Sequence, residues 1–182
     1  MSGMRWRGTI LALLGLAATA AVAQQQQGAV SALKGHDSNA PVEVSAQRIE
    51  VQDRADRAMF VGDVHATQGD LALDTQRLTV AYSTGQQNGS KVQINRLDAA
   101  GGVVVRSPSE TAKGDFGIYD LDRRLITVLG NVQLNQGGNQ VNGSRLVIDL
   151  DSGRAVIDGG PPGVNSSGGR VTGHFTVPQR QR

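Results

Sequence analysis

Few side chains capable of acid–base or metal chemistry stand close enough in this sequence to act together. The three histidines, His36, His65 and His174, fall in a polar leader, at an outward strand position and in a Gly-rich tail. With no cysteine to join them, they supply no metal donor set. Asp149-Leu150-Asp151-Ser152-Gly153 opens like a calcium loop but lacks the later ligands and the terminal Glu, so it reads as a turn. Asp120 and Asp122 form a carboxylate pair followed directly by Arg123 and Arg124, the pattern of a solvated turn. No P-loop, nucleophile elbow or dinucleotide fingerprint occurs. The sequence therefore predicts no enzyme, no metal and no cofactor.

What the spacing offers instead is an apolar surface. Leu78, Val80 and Tyr82 alternate with more polar residues, and so do Phe116 and Ile118, Val132 and Leu134, and Leu146 and Ile148. These nine are the candidate lipid-contacting residues, with alternates such as Thr79 and Asp149 turned to water. Exposing one CH2 group to water costs about 0.8 kcal/mol, so a twelve-carbon chain costs on the order of 10 kcal/mol. A continuous aliphatic lining could remove that cost. The same residues would also serve as the core of any sandwich, and both readings stay open at this point.

The elements that must position them form an internal repeat. Residues 58–85 align without gaps to residues 126–153 at a constant offset of 68. Gly62, Val64, Gln68, Gly69, Arg77, Leu78 and Gly85 recur as Gly130, Val132, Gln136, Gly137, Arg145, Leu146 and Gly153. A finer unit repeats at an offset of 29, from Ser45–Val51 to Asp74–Val80, and returns at Asn142–Ile148. Its G-[DN]-V element appears as Gly62-Asp63-Val64 and Gly130-Asn131-Val132, with Gly101-Gly102-Val103 between them. An insertion of roughly ten residues within Gln86–Leu97 breaks the rhythm. Repeated strand–turn–strand units without helical periodicity predict an all-β body built by stacking.

Composition divides the chain into four parts. Residues 1–23 read as a cleaved signal peptide: Arg5 and Arg7, an apolar run, then Ala21-Val22-Ala23. Retention of that run as an anchor is the rival reading. Residues 24–40 form a polar, flexible leader, 41–159 the β domain and 160–182 a disordered tail containing Gly and Arg. The signal removes two of 18 basic residues, leaving 16 against 16 acids, so the basic balance is no argument for nucleic acid. The terminal strands near Val42, Val44, Ile49 and Val51, and near Val156 and Ile157, are candidate partner edges, because unpaired N–H and C=O groups invite another strand.

The ordered body resembles the OstA-like family. The resemblance is carried by Pro41-Val42-Glu43-Val44, Ala46-Gln47-Arg48-Ile49, Phe60-Val61-Gly62-Asp63-Val64, Gln68-Gly69, Ala112-Lys113-Gly114-Asp115 and Leu129-Gly130-Asn131-Val132. It implies a slightly twisted, open-ended β-jellyroll of two antiparallel sheets. It further implies a periplasmic lipopolysaccharide-binding bridge between the inner and outer membranes, carrying the lipid A acyl chains in its trough. Implied partners are an LptC-like inner-membrane protein, the N-terminal domain of an LptD-like outer-membrane translocon, and further copies joined end to end. A structural secreted β-solenoid or scaffold is the alternative; a β-helical polysaccharide lyase or hydrolase is disfavoured by the lack of carboxylate clusters and aromatics.

Overall fold

The computed structural model describes Leu33 and residues 36–84, 92–160 and 169–177. The signal segment and the start of the leader lie outside the described residues. Ten strands form one antiparallel ladder: β1 (Val42–Ser45), β2 (Arg48–Gln52), β3 (Arg57–Gln68), β4 (Leu71–Thr84), β5 (Val92–Arg106), β6 (Glu110–Asp120), β7 (Leu125–Gln136), β8 (Asn139–Asp149), β9 (Arg154–Asp158) and β10 (Thr172–His174). The six strands from β3 to β8 are long and joined in sequence order. Each end of the ladder is split, with β1 and β2 sharing the edge of β3, and β9 and β10 sharing that of β8.

Every long strand is interrupted midway. Register shifts lie between Val61 and Val64, Ala100 and Val103, and Leu129 and Val132. At these points β3, β5 and β7 carry two residues against one on the neighbour, the definition of a bulge. The extra pairs are Gly62-Asp63, Gly101-Gly102 and Gly130-Asn131, all at positive φ. The single opposing residues are Gln76, Asp115 and Ser144; from the preceding side Gln47, Gln76 and Asp115 place their side chains where a glycine Cβ would go, and Ser144 donates to Gly159 O at 2.7 Å. Gln47, Gln76, Asp115 and Ser144 thus mark one corner, recurring at 29, 39 and 29 residues. The enlarged middle interval is the insertion expected from the sequence. Polar side chains tie the corners: Gln47 Nε2 donates to Asp63 at 2.5 Å, and Asn131 Nδ2 to Asp115 at 2.9 Å.

At these corners the single ladder folds over, and the two sheets expected from the sequence are its two halves. In the first half, Val80, Leu97, Tyr119, Ile126 and Ile148 form one buried cross-strand row, and Leu78, Ala99, Gly117, Val128 and Leu146 a second. Ala66, Leu73, Val105, Ala112 and Leu134 form the facing row of the other half. Both halves feed one core cluster, so their inner faces meet.

The corner carries the fold, so substitutions there discriminate sharply. A Cβ at Gly130 would stand 2.4 Å from Asp115 Oδ2 at a φ of +75°, whereas Gly102, at +78°, has open space around it. Gly130→Val is expected to lose on the order of 2–3 kcal/mol in urea denaturation, and Gly102→Ala only about 1 kcal/mol. Equal losses would contradict a packed corner.

Candidate functional site

The inner faces of the two half-sheets make an almost wholly aliphatic interior. Leu78, Val128 and Leu146 are fully buried at 0% exposure. The two halves lie close together, and the cavity left between them is about 50 Å3, lined by residues including Leu71, Val105, Leu97 and Ile126. Ligand pockets run from about 300 Å3 upwards. That space is too small for an acyl chain as it stands, so admitting one requires the halves to part. Turns at Leu121–Arg124 and Leu150–Gly153 form one lip of the mouth opposite the corner; those at Gly69–Asp70 and Ser107–Ser109 form the other.

The ends of the sandwich differ from its flanks. Ile49 and Val51 pair with Phe60 and Ala58 on the inner rows, yet each is 56% exposed because no further strand among the described residues covers β2. The apolar interior thus continues to the outer face of the first edge. At the other end, Ile157 packs against the core beside Gly143, where a Cβ would meet it at 2.4 Å.

Among the described residues three polar side chains are buried here: Thr75 at the corner, whose hydroxyl donates to Ala100 O at 2.9 Å, and Gln68 and Glu110 near the mouth. Glu110 is 6% exposed, and its Oε2 has no partner among the described residues. Burial pushes its carboxyl above the usual 4.5, opposed by the Leu33 backbone N–H that donates to Oε1. At the other end of β6, burial raises the Tyr119 phenol, with the Ser38 side chain beside it acting in the opposite sense. Its hydroxyl reaches no full hydrogen bond among the described residues.

A family model described as "LptA/(LptD N-terminal domain) LPS transport protein" matches residues 43–154, more than half of the chain. The chain belongs to this family. Within the LptA/LptD N-terminal-domain family, the fold is also that of a solved relative, LptH from Pseudomonas aeruginosa, described as the LptA-homologous periplasmic component of a lipopolysaccharide transport device. The two superpose with a TM-score of 0.65 at 20% identity, over 78% of this chain and 99% of that one. An uncharacterized protein of Rhizobium meliloti (strain 1021) is 29% identical over 159 residues, covering 86% of this chain and 81% of the relative. The family match spans the folded ladder from β1 to the start of β9 and leaves out the leader and the tail.

Placement of the nine sequence-derived interior residues follows the corners. Leu78, Val80, Val132, Leu134, Leu146 and Ile148 are buried on the inner face, and Tyr82 is half-buried beside Ile94. Phe116 and Ile118 are corrections. The bulge between Lys113 and Phe116 resets the alternation of β6, so that Gly117 and Tyr119 turn inward. Phe116 is 54% exposed, and Ile118 stands in an outer row between Asp98 and Thr127. A side chain on Gly117 would crowd Val103 Cγ1 at 3.0 Å, which is why the inward position is a glycine. Val64, Leu97, Val103, Val128 and Ile126 belong to the interior without having been singled out. Periodicity tracked from Val132 back through β7 would have found Val128 and Ile126, since β7 keeps its parity across the bulge.

Two expectations at the termini also change. The leader is not merely a flexible lead-in: Leu33 is 5% exposed and joins the core, and residues 36–40 run across the mouth. In the tail, Thr172–His174 form β10 on the edge of β8, paired from Asn142 to Gln140. Of the edge residues, Val42 and Val44 are half-buried, Ile49 and Val51 are exposed, Val156 is 36% exposed and Ile157 is half-buried.

A carboxyl whose pKa is raised by folding loses stability as pH rises from its unfolded value through its folded one. Glu110→Gln keeps an acceptor for the Leu33 amide but cannot ionise. It is expected to raise Tm by a few degrees at pH 7, with the gain vanishing below about pH 4. Thermal melts across that range check the sign.

Proposed function

We propose that this protein is a periplasmic carrier of lipopolysaccharide, holding the acyl chains of lipid A between its two half-sheets. Membership of the LPS-transport family supports the substrate class. The observation that carries the reading is the unbroken aliphatic interior, which runs through six long strands and emerges uncovered at Ile49 and Val51. A globular core ordinarily seals its last layer; this one presents apolar side chains and unpaired strand edges together. A second unit added at that edge would extend both the hydrogen-bonded ladder and the apolar interior.

At about 4.8 Å per strand, six to eight strands cover only about 30–40 Å. Bridging two membranes therefore takes several units, or other proteins of like fold at each end. An LptC-like inner-membrane partner and an LptD-like translocon domain are the partners this reading assigns to the split edges β1/β2 and β9/β10. No step of the reading requires an enzyme activity or a cofactor: transfer is exchange of one apolar surface for another.

The smallness of the 50 Å3 cavity favours a second reading, a sealed structural scaffold. Site-specific photo-crosslinking of the full chain with lipopolysaccharide separates the two. Probes at Leu78, Val128 and Leu146 are expected to capture lipid, whereas probes at Thr79 and Thr127 on the outer rows are expected to capture at least tenfold less. Inward probes that remain silent in folded protein would establish the scaffold.

A further inference from the structure

The mouth of the interior is crossed by the chain's own leader. Leu33 places its side chain among the core residues while its backbone N–H donates to Glu110 on β6. His36, whose side chain is 2% exposed, lies 3.1 Å from Gln68 Oε1 and 3.3 Å from Asp70 Oδ1. Gln68 Nε2 in turn donates to the carbonyls of Ser38 at 2.9 Å and Ala40 at 3.0 Å. These contacts fasten the leader to the lip formed by the turns after β3 and β5. On the opposite lip, Ser38 lies beside Tyr119, and Asp37 adds its attraction to that of Asp151 at Arg124. The segment therefore spans from lip to lip over the small cavity that Gln68 and Tyr119 themselves line.

Its chemistry copies that of a lipid. Leu33 offers an aliphatic group to the interior and, at the root of that group, an N–H to a buried carboxylate. An N-acylated or 3-hydroxyacylated lipid offers the same pair: an apolar chain with an amide or hydroxyl donor where it leaves the headgroup. Glu110 Oε2, buried opposite Gln136 in the pairing of β6 with β7, has no hydrogen-bond partner among the described residues. Leaving such an oxygen buried without a donor is costly, which is a reason to expect a function for it.

Resting on the carrier reading above, we propose that Leu33 and residues 36–40 form a displaceable strap that holds the place of lipid, and that Glu110 accepts the donor at the root of an acyl chain once the strap leaves. The fastening is suited to exchange. It is made of a few side-chain hydrogen bonds, the buried His36 ring and one buried leucine, not of a paired strand. The strap also keeps the apolar interior shielded while no lipid is present. A lipid binding only to the open state meets an apparent affinity lowered by the fraction open, so loosening the strap tightens binding.

Hydrogen–deuterium exchange of the full chain, with and without lipopolysaccharide, reads the strap directly. Lipid is expected to raise exchange in residues 33–40 at least tenfold while slowing it in β4 and β8. Leu33→Ser is expected to lower the apparent Kd for lipopolysaccharide several-fold. In the Leu33→Ser background, where the strap no longer competes, Glu110→Ala is expected to raise it about tenfold and Glu110→Gln much less, because glutamine still accepts. Vesicles of dimyristoylphosphatidylglycerol, whose ester-linked chains carry no donor at the root, are expected to show no such dependence on Glu110. Lipid bound in β4 and β8 with exchange in 33–40 unchanged or slowed would overturn the strap and leave the carrier reading intact. So would a folded Leu33→Ser protein with unaltered Kd. No lipid protection in either the parent chain or Leu33→Ser would overturn both.

Discussion

One constraint governs the molecule: a single antiparallel ladder must fold back on itself without breaking its hydrogen bonds. The solution is the two-against-one bulge at Gly62-Asp63, Gly101-Gly102 and Gly130-Asn131, opposed by Gln76, Asp115 and Ser144 on the following strand and packed by Gln47, Gln76 and Asp115 from the preceding side. Positive φ at two successive residues turns the strand, and the absent Cβ admits the neighbour's side chain. Because the corners stack, strand upon strand, they set a common fold line. The inner rows on either side of that line then face each other along the whole ladder, and the mouth lies opposite.

An interior made this way differs from that of an ordinary sandwich. The two halves are tied along the corner by the ladder and bridged across the lips by Leu33 and residues 36–40, so separation requires loss of apolar contact and of those bridging contacts but no loss of ladder hydrogen bonds. Closure is driven by the hydrophobic effect acting across the 50 Å3 that remains. On the proposed carrier reading, an entering acyl chain would restore what opening removes, since it offers the parted faces a surface as apolar as their own. Under that reading the strap would fill the mouth, the lips would part, and the ends, with Ile49 and Val51 exposed, would meet the next unit.

Much of this was legible in the residues. The offset of 68 is one long and one short corner interval, and the G-[DN]-V element marks the corners themselves. Alternation correctly turned Leu78, Val80, Val132, Leu134, Leu146 and Ile148 inward, because each was read within one arm of its strand. It fails at Phe116 and Ile118 because in that arm of β6 the inward positions are Gly117 and Tyr119, so the more apolar alternate set faces out. Parity shifts at the corner in β4, β6 and β8, whereas β3, β5 and β7 pass the corner with parity kept. Leu33 was invisible for another reason. It is a single apolar residue in a polar stretch, and its burial comes from tertiary contact with Glu110 and the core, which no local period announces. The three-residue β10 is likewise too short and too Gly-rich to carry a strand signature.

The distance across the mouth is the most direct test of an interior that opens for lipid. The chain has no cysteine, so spin labels placed through Ser109→Cys and Asp122→Cys, at exposed turns on opposite ends of β6, report the lips alone. Pulsed electron resonance should show one short, narrow distance in the lipid-free protein and an increase of several ångströms, on the order of one chain's width, with lipopolysaccharide bound. An unchanged distance in protein that demonstrably holds lipid would contradict opening at the mouth and place the acyl chains elsewhere on the molecule.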